Sequence, residues 1–504
     1  MKKATVYLVT LLASAISAVS AEKNVIFFIT DDESPTLGCY GDKIAKTPSI
    51  DAVAKDGAVF LNAFATTASC SASRSVVMTG IHNHRNGQYG HQHSYHKFAS
   101  WHSMVSFSMP RVMENAGYRT GQCGKYHVAP EEVFRFQKYI KSNPRNAVQM
   151  AEDCKEFITA DDDKPFFLYF ATSDPHRGGG KDKNAKSDLK PDLFGNKPDG
   201  GAFPGVEEVI YNPDDITEIP HFLPDTQETR EELAHYYQSV ARIDQGVAKL
   251  REILEEAGLW DKTMIVFTAD HGMAFAGGKT TVYEGGLRVP FVVRNPYEEN
   301  RGVRHEALIS HIDITPSLLD FAGGLDKEKN RPKNWVDPKK FWAGRENAKD
   351  NLGPRGGDQT FHGKSWIPIL GKPDAAHWDT VFASHTFHEI QMYYPMRVVR
   401  DKEYKLIWNI AHGLPYPFAS DLWAASSFQA QFQKSLDAPY GQKTVGEYIN
   451  RPRFEFYKID EDPVEAKNLA ADPAYAAKLE EYKKKLKDYQ KRMQDPWIMK
   501  WDYE

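Results

Sequence analysis

The chain has 504 residues, of which 41% are hydrophobic and 26% charged, with a formal net charge of −5. This is the make-up of an ordinary soluble globular protein, large enough for one large domain and a smaller one. The mildly acidic balance offers no basic face for nucleic acid, although an anionic substrate can still meet a local basic pocket.

At the N-terminus, Lys2 and Lys3 precede a short apolar run over 6–16, and Val19, Ser20 and Ala21 follow as small residues. That order reads as a cleaved export signal over 1–21 and places the mature chain in the periplasm or outside the cell. The run is too short and too rich in Ala and Ser for a membrane span. Beyond it, four apolar runs (24–29, 118–121, 165–170 and 264–268) each stop abruptly at polar residues. They read as buried strands. Helical spacing covers 49–56, 106–116 and, longest, 228–257. Strands alternating with helices predict an α/β fold, a mostly parallel sheet between helices, in a domain spanning 22–375. Residues 326–363 are rich in Lys, Asn, Pro and Gly and read as a surface excursion. After 376 the texture changes to short strands at 380–383, 396–400, 404–408 and 454–457, then a charged helix over 473–493. This predicts a smaller C-terminal domain with an antiparallel sheet and a helix. The four cysteines, Cys39, Cys70, Cys123 and Cys154, do not suggest a disulfide framework if Cys70 is consumed by chemistry.

Ligands of parallel α/β sheets bind beyond the carboxyl ends of the strands. The polar clusters after the four runs therefore converge in one crevice: Asp31-Asp32, Gly124-Lys125-Tyr126-His127, Asp174-Pro175-His176-Arg177, and Asp270-His271-Gly272. Taken singly, each has a plainer reading. Asp31-Asp32 could cap a helix, and Asp174-Pro175-His176 could be a turn. Together they hold the carboxylates, imidazoles and ammonium groups that metal-assisted hydrolysis of an anion needs.

The sharpest motif is Cys70-Ser71-Ala72-Ser73-Arg74, with Met78-Thr79-Gly80 after it. It resembles the signature of the formylglycine-dependent (type I) sulfatases, and the other clusters, with Thr47-Pro48-Ser49-Ile50-Asp51 and Lys279, follow in that family's order over nearly the whole mature chain. Ala72 stands where Pro is common. The resemblance implies the alkaline phosphatase superfamily fold, Cys70 oxidised to formylglycine (3-oxoalanine) by a maturating enzyme, and one Ca2+ per chain. It also implies that Asp31, Asp32, Asp270 and His271 ligate the metal together with the modified Cys70. His271 stands where many relatives have Asn, and an imidazole is a poorer match to Ca2+ than a carboxylate. Arg74, one helical turn from Cys70, would hold the metal-side oxygens. Lys125 and Lys279 would neutralise sulfate oxygens, Lys279 or His176 would protonate the leaving atom, and His127 would accept a proton from the nucleophile.

A further resemblance, to the N-sulfoglucosamine sulfohydrolases (heparan N-sulfatases, or sulfamidases), extends over 165–177, 237–245, 388–397, 414–417 and 495–497. It implies an N-sulfated glucosamine of heparin or heparan sulfate as substrate, with His388, Glu389, Asp495 and Arg177 facing the sugar. Lys279 replaces the Arg of that subgroup, and the run Glu284-Gly285-Gly286-Leu287-Arg288-Val289-Pro290 follows sulfatases in general. An O-sulfatase on an algal or host polysaccharide, a phosphatase or phosphonate monoester hydrolase, and a non-catalytic glycan-binding protein stand as alternatives. The partners expected are a sulfated saccharide and the maturating enzyme, with a homodimer compatible and neither nucleic acid nor membrane involved.

Overall fold

The computed structural model describes residues 23–93, 97–182, 189–197, 201–345, 351–354 and 358–503. The expected export signal lies outside them. Among the described residues the centre of the molecule is an eight-stranded sheet. Its first five strands are β1 (Asn24–Thr30), β2 (Ala58–Phe64), β3 (Arg119–Gly124), β4 (Lys138–Ile140) and β5 (Phe166–Ala171). A small hairpin of β6 (Arg177–Lys181) and β7 (Asp192–Phe194) intervenes before β8 (Thr263–Ala269), β9 (Phe291–Arg294) and β10 (Val303–Ser310) complete the sheet. The lateral order is β10-β2-β9-β8-β1-β5-β3-β4. Every pairing is parallel except those of β9, which runs against both β2 and β8.

β1 is buried along its whole length, and its alternation divides it between two cores. Ile26 and Phe28 point into one, while Val25, Phe27 and Ile29 point into the other. The first core is covered by the thirty-residue helix Gln227–Glu256 through Leu233, Tyr236, Val240, Ile243 and Leu254. The second is covered by Met109–Asn115 and Ile314–Phe321. Each fully buried Leu, Ile or Phe contributes about 1.5–3 kcal/mol, so a sheet covered on both faces is strongly fixed in register. The long helix also anchors α1 (Pro48–Lys55). Asp244 accepts from the backbone N–H groups of Ser49 and Ile50 at 3.0 and 2.8 Å, in place of a local side-chain cap.

Two expectations change. The helix expected over 106–116 is a 3-10 turn, His102–Ser106, followed by an α-helix that starts only at Met109. Pro110 has no N–H to offer the carbonyl of Ser106, so the two cannot fuse. The stretch 326–363 is not simply a surface excursion: Trp342 and Phe361 insert into the second core, and Trp342 Nε1 donates to the carbonyl of His102 at 2.9 Å.

The C-terminal sheet consists of Thr380–His385, Met396–Asp401, Tyr404–Asn409 and Phe454–Lys458, antiparallel and paired in that order. One face (Val399, Leu406, Trp408, Phe456) packs on helix Ala476–Arg492 through Leu479, Tyr482 and Leu486. The other face (Met396, Val398, Ile407, Tyr457) joins the first core of the large sheet. The two sheets therefore share one interior. No described helix is long and apolar enough to cross a membrane.

Candidate functional site

The site is built at the carboxyl ends of β1, β3, β5 and β8. Their register sets Thr30 beside Ala269, Ile29 beside Ala171, and Gly124 beside Ala171. Backbone bonds continue past the strand ends: Asp31 N–H donates to Asp174 O at 3.1 Å, Asp270 N–H to Thr30 O at 3.1 Å, and Lys125 N–H to Ala171 O at 2.8 Å. At Gly124, with φ +87°, a Cβ would lie 2.0 Å from the carbonyl oxygen of Ala171, so only glycine lets β3 turn there into Lys125. Asp32 also has a left-handed backbone, φ 64°, which Asp tolerates better than most residues.

The helix α2 (Cys70–Val77) enters from beneath, and every one of its residues is buried. Cys70 is its first residue. The Cys70 Sγ lies 3.3 Å from His271 Nε2 and 3.6 Å from Asp32 Oδ1. Burial pushes the thiol well above its usual range, and Asp31 and Asp32 add to this against the pull of Lys125 and Lys279. Unaltered, Cys70 is a neutral thiol and a poor nucleophile. One turn on, Arg74 donates from Nε to Asp270 at 2.9 Å and from its second terminal nitrogen to Asp31 at 3.2 Å. It clamps two carboxylates from adjacent strand ends.

Asp32, Cys70, Asp270 and His271 bring one ligand atom each within 4.8 Å of one another, all buried. The chemistry of this set fits a divalent cation. His271 Nδ1 faces the carbonyl of Gly272 at 3.0 Å, which makes Nδ1 the protonated nitrogen and turns the Nε2 lone pair inward. That lone pair is 3.2 Å from Asp32 Oδ1 and 3.9 Å from Asp270 Oδ1. Acceptors facing one another this closely, out of water, call for a positive charge between them. Burial foremost, and then Asp31 and Asp32, prevail over Arg74 and His271 and raise the Asp270 carboxyl to about 6.

Around this centre stand the cations. Lys125 Nζ donates to Asp31. Burial works against the Asp31 anion, yet Lys125, His176 and Arg74 hold its carboxyl well below the usual range. Lys279, almost fully buried, reaches Asp32 at 2.9 Å, His176 Nε2 at 2.9 Å and Asp421 at 3.1 Å. Burial disfavours its charge, but Asp32 and Asp421 hold it well above the ordinary lysine range. The Nδ1 of His176 is engaged by the carbonyl of Arg177, so its Nε2 accepts from Lys279.

On the Lys125 side, His127 Nε2 lies 3.3 Å from His91 Nδ1, and His93 stacks parallel to His127. His388 Nδ1 meets His91 Nε2 at 2.9 Å and Ser69 Oγ at 3.1 Å. Burial first, then Lys125, takes His127 well below its usual basicity. Glu389 is half-buried near His93 and accepts from Gln391 at 2.6 Å.

The expected residues Asp31, Asp32, Cys70, Arg74, Lys125, His176, Asp270, His271 and Lys279 thus belong to one connected network, with His127 and His388 beside it, joined to each other through His91. Two others are closed by buried ion pairs of their own. Arg177 is buried, with its guanidinium closed by both oxygens of Glu232 (2.8 and 2.9 Å) and by the carbonyl of Ala274. Asp495 is buried and bound by Arg397 at 2.5 and 3.0 Å, Gln490 at 2.9 Å and the N–H of Trp497 at 3.1 Å. Conversely, sequence reasoning missed Asp421, His91 and His93. The last two carried a readable signal, a pair of imidazoles two residues apart after Gly90; Asp421 carried none.

Comparisons with known proteins are concordant. The family model described as Sulfatase matches residues 23–324. The human N-sulphoglucosamine sulphohydrolase is 34% identical over 489 residues, 94% of this chain and 91% of that protein. An ulvan-active sulfatase of Formosa agariphila is 27% identical over 476 residues, 91% of this chain and 78% of that protein. Among solved structures, one determined with its substrate D-glucosamine-2-N,6-O-disulfate superposes with a TM-score of 0.61. It is 18% identical and covers 94% of this chain and 99% of the other.

Proposed function

This chain belongs to the sulfatase family, and we propose that its reaction is removal of the N-linked sulfate from a glucosamine residue of heparin or heparan sulfate, in the periplasm or outside the cell. The observation that carries this reading is the 34% identity with an N-sulphoglucosamine sulphohydrolase along 94% of the chain. The alignment therefore includes the C-terminal region, which supplies Asp421 to the network and His388 beside it.

Asp31, Asp32, Asp270 and His271, with Cys70, would hold a Ca2+ ion. A formylglycine made from Cys70 by a maturating enzyme, hydrated beside that ion, would supply a hydroxyl nucleophile active at neutral pH. The other residues position charge and protons. Arg74 keeps Asp31 and Asp270 turned toward the centre. Lys125 and Lys279 present ammonium groups to the sulfate oxygens, where fixed cations stabilise developing charge without reorganising. Lys279 also holds a proton within reach of the leaving nitrogen, and neutral His176, accepting from it, orients that N–H. His127 is neutral, and its Nδ1 is buried without a hydrogen-bond partner, so it has a lone pair ready to accept a proton as product leaves.

The test starts from protein made in a host that matures sulfatases. The Cys70 peptide should weigh about 18 Da less than the unmodified thiol form. Sulfate release should be faster from N-sulfoglucosamine than from 6-O-sulfated N-acetylglucosamine, and faster from aryl sulfate than from aryl phosphate. Release only from O-sulfated sugars would move the function to the second reading, an O-sulfatase. Lys279 in place of the subgroup's Arg and the likeness to an ulvan-active sulfatase favour that reading.

A further inference from the structure

Three histidines outside the carboxylate cluster form a group of their own. His91, His93 and His127 each bring one ring nitrogen within 4.8 Å of the other two. His91 Nδ1 and His127 Nε2 are 3.3 Å apart, which is the edge of a tetrahedron whose metal–nitrogen bonds are about 2.0–2.1 Å. The rings of His93 and His127 are parallel within 1°, with centroids 5.2 Å apart. Behind His91, the His388 ring holds Nε2 at 2.9 Å and is itself held by Ser69, an arrangement that orients the Nδ1 lone pair.

The donor set decides the class of ion. Three imidazoles without a carboxylate suit Zn2+ or Cu2+ and repel no counter-charge, whereas Ca2+ prefers oxygen ligands. His93 is exposed, which leaves an ion a route from solvent. We propose that His91, His93 and His127 form a second cation site, selective for borderline transition ions such as Zn2+, and that its occupation stops turnover because ligation through His127 Nε2 leaves the ring proton on Nδ1, the atom that must accept. The inhibitory half rests on the proton-accepting part given to His127 above; the binding half stands without it.

The experiment is titration of Zn2+ into the Cys70→Ser protein, followed by calorimetry, with Ca2+ kept saturating so that the carboxylate centre is filled. Co2+ titrated in parallel reports nitrogen coordination through its visible absorption. One Zn2+ per chain is expected, and His93→Gln, whose exposed ring plays no part in the core, should weaken it roughly tenfold or more, at least the cost of losing an outer-shell partner. His91→Gln should do the same, with circular dichroism checking its fold. In the matured enzyme Zn2+ should inhibit, and His93→Gln should raise the inhibitory concentration by the same factor. Zn2+ binding that is unchanged in both histidine variants, or that is lost in Asp270→Asn, overturns the site. Histidine-dependent binding without inhibition overturns the inhibitory half and the role of His127, and leaves the site standing.

Discussion

Lys279 and Asp421 meet at 3.1 Å across 142 residues of chain, one from the loop after β8 and the other from the C-terminal region. Lys279 is thereby held between Asp421, Asp32 and His176, a geometry that neither region could set alone. A hydrogen bond to a charged partner is worth about 1.5–3 kcal/mol, which is about tenfold to a hundredfold in rate. Asp421→Asn should lower kcat by that factor. Lys279→Ala should cost more, and the double variant should be no worse than Lys279→Ala, as shown by steady-state kinetics on all three; additive losses would mean that the two act independently.

Arg74 is buried between Asp31 and Asp270. Removing one partner from a buried ion network strands the others, at a cost of about 3–5 kcal/mol. Arg74→Ala should therefore lower the urea midpoint as well as abolish turnover. Arg74→Lys keeps the charge but loses the fork that spans two carboxylates, and its stability should fall between the two.

The facing acceptors at Asp32, Asp270 and His271 predict that a divalent cation stabilises the fold. Ca2+ at a hundred times its dissociation constant should add about 2.7 kcal/mol, seen as a rise in melting temperature that a chelator reverses. Asp270→Asn should lose most of this rise. A melting temperature indifferent to both additions would contradict the assignment of these residues.

Arg177 and Glu232 form a two-pronged buried pair. Arg177→Ala should destabilise the protein by about 3–5 kcal/mol, measured by urea unfolding, while leaving KM close to wild type. A large rise in KM with unchanged stability would return Arg177 to the sugar pocket.

Glu284, in the segment after β8, is tied to the C-terminal sheet through Lys405. Its carboxylate takes Lys405 at 3.0 Å, and the same ammonium reaches Glu465 at 2.8 Å. Burial raises the Glu284 carboxyl, but Lys405, Arg400 and Arg288 hold it down to about 2. A free glutamate titrates near about 4.3. The stability this pairing provides is thus present above that value and is lost as the pH falls toward about 2. The gap in unfolding free energy between wild type and Glu284→Gln, about 3 kcal/mol at neutral pH, should close over that acid interval.

What the sequence made legible follows from its chemistry. β1, β5 and β8 are buried on both faces, so each is a continuous apolar run that ends where polar residues begin. That is why Asp31, Asp32 and Asp270 could be placed at one crevice before any coordinates. Pairing was not legible. Arg177 and Asp495 look like ligand residues in a chain of letters, and their pairing with Glu232 and Arg397 could not be read there. Asp421 lies in the first turn of a four-residue helix, Ser420–Trp423, where an acidic residue is unremarkable. The break at Pro110 could have been read from the missing N–H alone.

The complete enclosure of α2 bears on the order of events in the protein's life. No residue from Cys70 to Val77 offers a surface to another macromolecule once the cores have closed over it. An enzyme that altered Cys70 would therefore have to meet a chain whose tertiary structure has not yet formed, and folding would end its opportunity. Two kinds of molecule would then leave synthesis, altered and unaltered at one residue, and the finished structure would give them no path to interconvert. On the proposed function, the active fraction of a preparation would record a race between a modifying enzyme and collapse of the core, set by the host and not by later handling.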